Sequence, residues 1–319
     1  MAAESPTMPP PRPAAAGSTL LGWIGTGVMG RSMVGRLRDA GFDVVLTTRS
    51  RAKAEPLLER GCRWADTPAA VAAAADVVFV MVGHPADVRE VVLGPAGALV
   101  AIRPGCTLVD HTTSSPALAA EIASLACGRG VWSLDAPVSG GDRGAREGTL
   151  TVMVGGADAP RAALDACWGA VAGNVVACGG PGAGQRTKLV NQIAIAGGMV
   201  GMCEALLFAH RAGLDLETTL RAISGGAAGS WSLSNLAPRI VKGDFAPGFM
   251  VEHFVKDMRL ALDECRSMAL PLPGLALVES LYTALVAHGR GRMGTQGLVL
   301  ALAEQADHPW PPRPPAQVS

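Results

Sequence analysis

Lys188 and Asn191 stand three residues apart in the segment Gly182-Ala183-Gly184-Gln185-Arg186-Thr187-Lys188-Leu189-Val190-Asn191-Gln192. If a helix begins there, the two side chains share one face. The lysine then lies near the positive end of the helix dipole. That placement, with partial desolvation, is expected to make its ammonium a readier acid. Such a lysine can take a hydroxyl proton during oxidation and return it to the carbonyl oxygen during reduction. A lysine near a helix start is, taken alone, more often a solvated surface group.

Three further segments could act with it. Asp135-Ala136-Pro137-Val138-Ser139-Gly140-Gly141 falls at the carboxyl end of a predicted strand. Its small residues expose backbone N–H groups and one hydroxyl, which suits a carboxylate-bearing substrate. A simple Ser-Gly turn is the bland alternative. Phe254-Val255-Lys256-Asp257 is read as placing Lys256 at the opening of a helix in the second half of the chain. A cation is poorly placed there for the helix dipole, so contact with a cofactor across a cleft is its expected use. A surface lysine paired with an acid is the competing reading.

Gly25-Thr26-Gly27-Val28-Met29-Gly30 is GxGxxG, directly after a predicted strand and at the start of a predicted helix. The first glycine permits the tight turn and the second lets the backbone approach a pyrophosphate. The third lets helix and strand pack closely, while the helix N-terminus attracts phosphate. The motif alone is weak in a chain with 40 glycines, but its context agrees with dinucleotide binding. Enzymes that use NAD usually place an acid at the end of the second strand. Here the residues are Leu46-Thr47-Thr48-Arg49-Ser50-Arg51. Arg49 could stack on adenine and pair with a 2′-phosphate, and Ser50 could donate to it. NADP(H) is therefore the expected cofactor, with NAD(H) as the second choice. A solvated basic turn is the bland alternative.

The elements that must position these residues are legible as alternation. Leu20–Ile24, Val44–Thr47, Asp76–Val82 and Thr107–Asp110 read as strands buried on both faces. Val131–Ala136, Leu150–Val154 and Asn174–Ala177 read as further strands. Gly41 and Gly61 sit where helices should stop, and Ser115-Pro116 reads as an N-cap followed by proline at the first helical position. Strand–helix alternation implies an α/β fold, a Rossmann-type, doubly wound, mainly parallel sheet. After the glycine-rich stretch 179–184 only helices are predicted: Gln185–Ala212, Leu216–Ile223, Trp231–Val241, Lys256–Met268, Pro273–His288 and Thr295–Ala306. Residues 20–182 thus read as a dinucleotide-binding domain and 183–307 as an all-helical second domain for substrate and oligomerisation. Residues 1–19 and 308–319 read as disordered, proline-rich tails. Close helix–helix packing is the expected reason for Gly197-Gly198 inside the long helix.

Composition excludes several partners. The chain has 319 residues, 49% hydrophobic and 17% charged, with a formal net charge of zero. No global field favours nucleic acid or an acidic membrane surface. Six Phe, six Trp and one Tyr leave few stacking platforms for bases. The seven cysteines include no CxxC pair, so they read as core thiols, and no metal site is expected. No run of about 18 uninterrupted apolar residues occurs, so no transmembrane helix is expected. Residues 1–19 hold one Arg and one Glu, a poor match to an Arg-rich, acid-poor transit peptide. The cytoplasm is the first expectation for location and the mitochondrion the second. Apolar, Gly-rich helices suggest a homodimer or homotetramer.

With Gly22-Trp23-Ile24 before the glycine loop, these four segments together resemble the β-hydroxyacid dehydrogenase family, in particular its plant 3-hydroxyisobutyrate dehydrogenase-like branch. They occur in the family's order and cover about residues 20 to 305. The resemblance implies a site in the cleft between the two domains and a small carboxylate substrate. It implies Lys188 as general acid/base and Asn191 as the group that orients substrate. Ser139, Gly140 and Gly141 would receive the carboxylate. Lys256, Thr113 and the loop Val82-Gly83-His84-Pro85 would meet the cofactor, and Trp231 would line the substrate pocket. Two departures matter. Gln192 stands where many members carry a second Asn. Arg49-Ser50 looks like the NADP-using branch, which pulls the substrate toward aldehyde-acid reduction, as of glyoxylate or succinic semialdehyde. A 6-phosphogluconate-type enzyme is disfavoured by chain length and by the lack of a basic phosphate cluster in the second half. A non-catalytic, dehydrogenase-like scaffold is the alternative of another class; the presence of Lys188 and Asn191 argues against it.

Overall fold

A computed structural model describes residues 8–308 and Trp310. The chain divides into two compact units, Met1–Lys188 and Leu189–Ser319.

Among the described residues, unit 1 is built on nine strands: β1 (Leu20–Ile24), β2 (Asp43–Thr47), β3 (Arg63–Trp64), β4 (Val77–Val80), β5 (Thr107–Asp110), β6 (Trp132–Asp135), β7 (Val138–Ser139), β8 (Leu150–Gly155) and β9 (Ala172–Gly179). Their order in the sheet is β3-β2-β1-β4-β5-β6-β8-β7, with β9 on β8. From β3 to β6 every pairing is parallel, as the helical crossovers require. β8 runs antiparallel to β6 and β7. Strand order reverses between β1 and β4, and at the carboxyl ends of such a pair an open α/β sheet leaves a crevice.

β1 and β4 are buried on both sides, because helices cover both faces. One face packs Trp23, Phe79, Leu134 and Trp168; the other packs Ile24, Val45, Val78, Val80 and Leu108. Helix punctuation follows the sequence. Gly41 and Gly61 take φ of +87° and +86°, and Ser115 Oγ accepts the N–H of Leu118 ahead of the Pro116 turn. The two-residue strands β3 and β7 escape the sequence reading, since two residues carry no periodicity.

Unit 2 is helical. Beside its part of the long helix Ala183–Arg211, it holds Leu216–Ser224, Trp231–Asn235, Ala237–Val241, Val251–Ser267, Pro273–Ala287 and Leu298–Gln305. Its core packs Met199, Cys203, Leu206, Phe254, Met258 and Tyr282. The Phe254 and Tyr282 rings meet edge to face at 5.1 Å, and the Tyr282 hydroxyl donates to Thr295 O at 2.8 Å.

Several expectations are corrected. The division into compact units falls at Lys188, soon after the boundary expected near residue 182, because the first turn of the long helix is hydrogen-bonded to the end of β6. The tail expected to be disordered over 1–19 is packed where it is described. Ala14 is buried, its N–H donates to Ala163 O at 2.7 Å, and Trp132 Nε1 donates to Pro9 O at 2.9 Å. Prolines restrict that segment before it docks, so ordering it costs less entropy. Residues 1–7 lie outside the described residues. At the other end His308 and Trp310 pack on His210, with ring centroids 4.8 and 5.3 Å away; residue 309 and residues 311–319 of the expected tail lie outside the described ones. The helix expected over Trp231–Val241 is two helices, because Pro238 lacks the N–H to continue the first.

The long helix is, by length and composition, long and apolar enough to cross a membrane, against the expectation of no such segment. The expectation counted only uninterrupted apolar runs, whereas this helix mixes apolar residues with glycine. Its buried side, Ala196, Met199, Met202, Cys203 and Leu206, belongs to the unit 2 core. Gly197 and Gly198 do not serve close packing within the chain: both are exposed, and a Cβ at either would meet nothing within 4 Å.

Candidate active site

The loop after β1 has the geometry that its glycines require. Gly25 takes φ +99°, and a Cβ there would lie 2.2 Å from Met81 O, the backbone that follows β4. A Cβ on Gly30 would lie 2.2 Å from Gly25 O and 3.0 Å from Trp23 Nε1. That indole N–H donates to Gly25 O at 2.8 Å and holds the turn shut. Gly27 differs: a Cβ there would meet nothing within 4 Å. Gly27 is the N-cap of the helix Val28–Asp39, which has no side-chain cap and no acid in its first turn. The loop therefore offers open space in front of free helical N–H groups and a positive dipole end, the surroundings of a pyrophosphate. Thr26 Oγ1 is buried there without a protein partner. Val28, exposed, and Met29, partly buried, form the first turn.

At the end of β2 no carboxylate is present. Arg49 is 91% exposed, with Nη1 3.6 Å from Asp87 Oδ1, and Ser50 is exposed beside it. Arg51 is engaged elsewhere, over the Trp64 ring at 5.2 Å. Asp87 Oδ2 also accepts the N–H of His84 at 3.0 Å, which shapes the loop of Val82 and Gly83. Val82 N–H donates to Thr112 Oγ1 at 3.0 Å, and Thr112 N–H to Asp110 Oδ1 at 2.9 Å. The segment that carries Thr113 is thus tied to the ends of both β4 and β5. These groups fit a nicotinamide dinucleotide: open glycine loop, uncapped helix, exposed guanidinium.

The end of β6 positions the lysine. Asp135, 4% exposed, accepts Gly182 N–H on Oδ1 and Gln185 N–H on Oδ2, each at 2.8 Å. It caps the N-terminus of the long helix, which has no acid of its own in its first turn. Burial pushes the Asp135 carboxyl above its ordinary value, against the pull of the N–H groups of Gly182, Gln185, Asp135 itself and Gly184. Gly182 takes φ +84°, and a Cβ on Gly184 would lie 2.4 Å from Met153 O and 2.5 Å from Asp135 O. Only glycine lets the helix start so close to the sheet. Gln185, fully buried, accepts Ser114 N–H at 2.8 Å and donates to Thr112 O at 2.7 Å. Its two bonds fasten the helix to the loop after β5. Lys188 stands in the second turn of this helix, 7% exposed, so it is no solvated surface group.

Ser139, Gly140 and Gly141 follow Asp135 on β7 and its turn. Gly140 and Gly141 take φ of +126° and +63°, both are exposed, and a Cβ on Gly141 would meet nothing within 4 Å. Unit 1 thus carries the glycine loop, Val82-Gly83, Thr113, Ser139 to Gly141 and Lys188.

Unit 2 carries the other expected residues. Asn191 is three residues beyond Lys188 on the same helix, with Nδ2 donating to Gln192 Oε1 at 2.7 Å. Lys256 does not open a helix. The helix starts at Val251, so Lys256 lies in its second turn, Nζ 3.0 Å from Asp257 Oδ1. The dipole argument for Lys256 therefore falls. Trp231 begins a short helix capped by Ser230 and is 62% exposed. Sequence reasoning gave no role to Gln185, Asp135 or Asp257, although each lies in a segment it singled out. The signal available was a helix start that lacks an acid of its own. Among the described residues, no group of three His, Cys, Asp or Glu side chains could hold a metal ion.

Comparison with known proteins identifies relatives of the whole fold. Residues 20–180 match the family model of the NAD-binding domain of 6-phosphogluconate dehydrogenase. Residues 182–302 match that described as NAD-binding of NADP-dependent 3-hydroxyisobutyrate dehydrogenase. The chain is 52% identical to a probable 3-hydroxyisobutyrate dehydrogenase-like mitochondrial protein of Arabidopsis thaliana, over 89% of this chain and 85% of that one. It is 38% identical to the 2-hydroxy-3-oxopropionate reductase of Escherichia coli, over 90% and 98%. The structure of Mycobacterium tuberculosis 3-hydroxyisobutyrate dehydrogenase with L-serine superposes with a TM-score of 0.81 at 28% identity, covering 89% of this chain and 99% of that one.

Proposed function

The chain belongs to the β-hydroxyacid dehydrogenase family and is an NAD(P)-dependent oxidoreductase of hydroxy acids; on that premise we propose that it interconverts a small 3-hydroxy acid and its semialdehyde, with Lys188 as general acid/base and NADP(H) as preferred cofactor. The observation that carries the reading is the burial of Lys188 in a helix whose start is fastened, through Asp135 and Gln185, to the end of β6 and the loop after β5, in the same sheet as the β1 that bears the glycine loop.

The nicotinamide dinucleotide, when bound, supplies or takes up the hydride. The rest falls to the chain. Gly25, Thr26, Gly27, Val28, Met29 and Gly30 would hold the pyrophosphate, and Arg49 with Ser50 the 2′-phosphate. Val82, Gly83, Thr113 and Lys256 are proposed as further cofactor contacts. The Ser139 hydroxyl and the N–H groups of Gly140 and Gly141 would receive the substrate carboxylate, with Asn191 orienting the reacting carbon and Trp231 bounding the pocket. Lys188 Nζ takes the hydroxyl proton in oxidation and gives it to the carbonyl oxygen in reduction.

A second reading rests on the same site. Arg49 without a nearby acid on β2 favours NADPH, hence reduction of an aldehyde acid such as glyoxylate or succinic semialdehyde, and the Escherichia coli relative is a reductase by name. We also propose a homodimer or homotetramer. The exposed side of the long helix supports it, with Val190 65% and Phe208 72% exposed around the bare glycines 197, 198 and 201. A mitochondrial location accords with the designation of the Arabidopsis relative; fractionation of cells separates it from a cytoplasmic one.

The test is oxidation of NADPH and NADH with glyoxylate, succinic semialdehyde and methylmalonate semialdehyde, beside the reverse reaction with 3-hydroxyisobutyrate. Lys188→Ala should lose about 10³-fold in kcat with NADPH affinity intact. Equal turnover in both proteins overturns the lysine's role, and tight cofactor binding without turnover in the wild type favours the scaffold.

A further inference from the structure

Gln192 and Asp257 have no part in the reading above, yet they are 2% and 1% exposed. Gln192 Nε2 donates to Asp257 Oδ2 at 2.6 Å. A carboxylate can only accept, so the nitrogen of the Gln192 amide must face it and the oxygen must face away. That oxygen accepts Asn191 Nδ2 at 2.7 Å. One N–H of Asn191 is thereby committed, which fixes the amide's orientation and turns Oδ1 to the other side. At the far end Lys256 Nζ lies 3.0 Å from the other Asp257 oxygen, which forms an ion pair with it. One buried charge thus sets the polarity of two amides in series.

We infer that Asp257 is a positioning residue which, through Gln192, fixes Asn191 as a hydrogen-bond acceptor toward the substrate. The inference rests on the proposed role of Asn191 and deepens it. An Asn in a free rotamer can offer either oxygen or nitrogen. This one is held to offer oxygen, which suits a partner that donates, namely the hydroxyl of the alcohol form. The Gln192 side chain is long enough to span from Asn191 to the carboxylate on the Val251–Ser267 helix.

The test exchanges the charge between the two residues. In Asp257→Asn the new amide can donate to Gln192 Oε1, so Gln192 turns over and Asn191 follows. Oxidation of 3-hydroxyisobutyrate at saturating NADP+ should lose at least about tenfold in kcat/KM. In the double variant Gln192→Glu with Asp257→Asn, the carboxylate sits at 192 and accepts from both neighbours. Asn191 regains its polarity, and kcat/KM should return to within about threefold of the wild type. Gln192→Met, close in volume but without the amide, should lose as much as Asp257→Asn and serves if that variant does not fold. Wild-type kcat/KM in Asp257→Asn, or a double variant no better than the single one, overturns the inference. The Asn191 side-chain amide signal in ¹⁵N NMR, assigned by its loss in Asn191→Asp, should exchange slowly in the wild type and the double variant and shift in Asp257→Asn. An unshifted signal overturns the relay even where the wild type leaves 3-hydroxyisobutyrate untouched, so a failed relay and a failed substrate are told apart.

Discussion

Asp135 Oδ2 accepts the backbone N–H of Gln185 at 2.8 Å, across 50 residues of sequence. The bond joins the end of β6 to the first turn of the helix that carries Lys188. Asp135→Asn would keep one acceptor and turn an N–H toward the other backbone donor. A buried donor left unpaired costs about 1–3 kcal/mol. We expect Asp135→Asn to lower stability by about 2 kcal/mol in urea unfolding and kcat by about tenfold. Unchanged kinetics at reduced stability would separate the helix anchor from lysine placement.

The glycine loop gives a pair of opposite predictions. Gly25→Ala forces a Cβ to 2.2 Å from Met81 O at φ +99° and should cost about 3 kcal/mol or more of stability. Gly27→Ala meets nothing within 4 Å, so the fold should hold to within about 1 kcal/mol. The added methyl group fills the space in front of the helix, however, and NADPH affinity by fluorescence titration should fall at least about tenfold. Similar affinity for NADPH in Gly27→Ala and the wild type would remove the pyrophosphate from that position.

What the sequence made legible is local. The turn at Gly25 to Gly30, the strand before it and the helix after it are contiguous, and each residue type reports its own backbone demand. Lys188 and Asn191 are legible because helical spacing alone relates them. The contacts that hold these groups in place are not local. Gln185 reaches back to Ser114 and Thr112 over 71 and 73 residues, and Gln192 reaches Asp257 over 65. No periodicity encodes such pairings. The start of the Val251–Ser267 helix was misjudged for a related reason: Phe254 and Val255 are buried core residues of that helix, but their apolar pair reads equally well as the approach to a helix. The docking of Pro9 and Ala14 onto unit 1 was hidden because proline-rich composition reports what a segment does without partners.

Arg49 should decide between the two nicotinamide cofactors. Its guanidinium is 91% exposed and its contact with Asp87 is long, 3.6 Å, so the pair adds little to stability. Against a 2′-phosphate a charge-assisted bond is worth about 1.5–3 kcal/mol, or about ten- to 150-fold. Arg49→Ala should therefore raise KM for NADPH at least about tenfold, leave KM for NADH within about threefold and leave the melting temperature unmoved. A parallel rise in both Michaelis constants would assign Arg49 to the shared part of the dinucleotide.

His111 predicts how stability responds to acid. It is 1% exposed and stacks parallel to Phe79 at 5.6 Å between ring centroids. Its Nδ1 lies 2.6 Å from Ala136 O, a carbonyl that can only accept, so the neutral ring carries its proton on Nδ1. Burial lowers its pKa from 6.5 to about 4, against the pull of the Ala136 hydrogen bond. The unfolded chain takes up this proton as pH falls through 6.5, while the folded chain does not until about 4. Stability from this residue is therefore full above pH 6.5 and is lost as pH falls toward 4. Between pH 7 and pH 5 the loss amounts to about 2 kcal/mol. His111→Phe should keep the stacked core and remove that part of the pH dependence, whatever it costs at neutral pH through the bond to Ala136. Urea unfolding of both proteins at pH 7 and pH 5 reads the difference of slopes. Equal slopes would mean that His111 takes up its proton without leaving the fold.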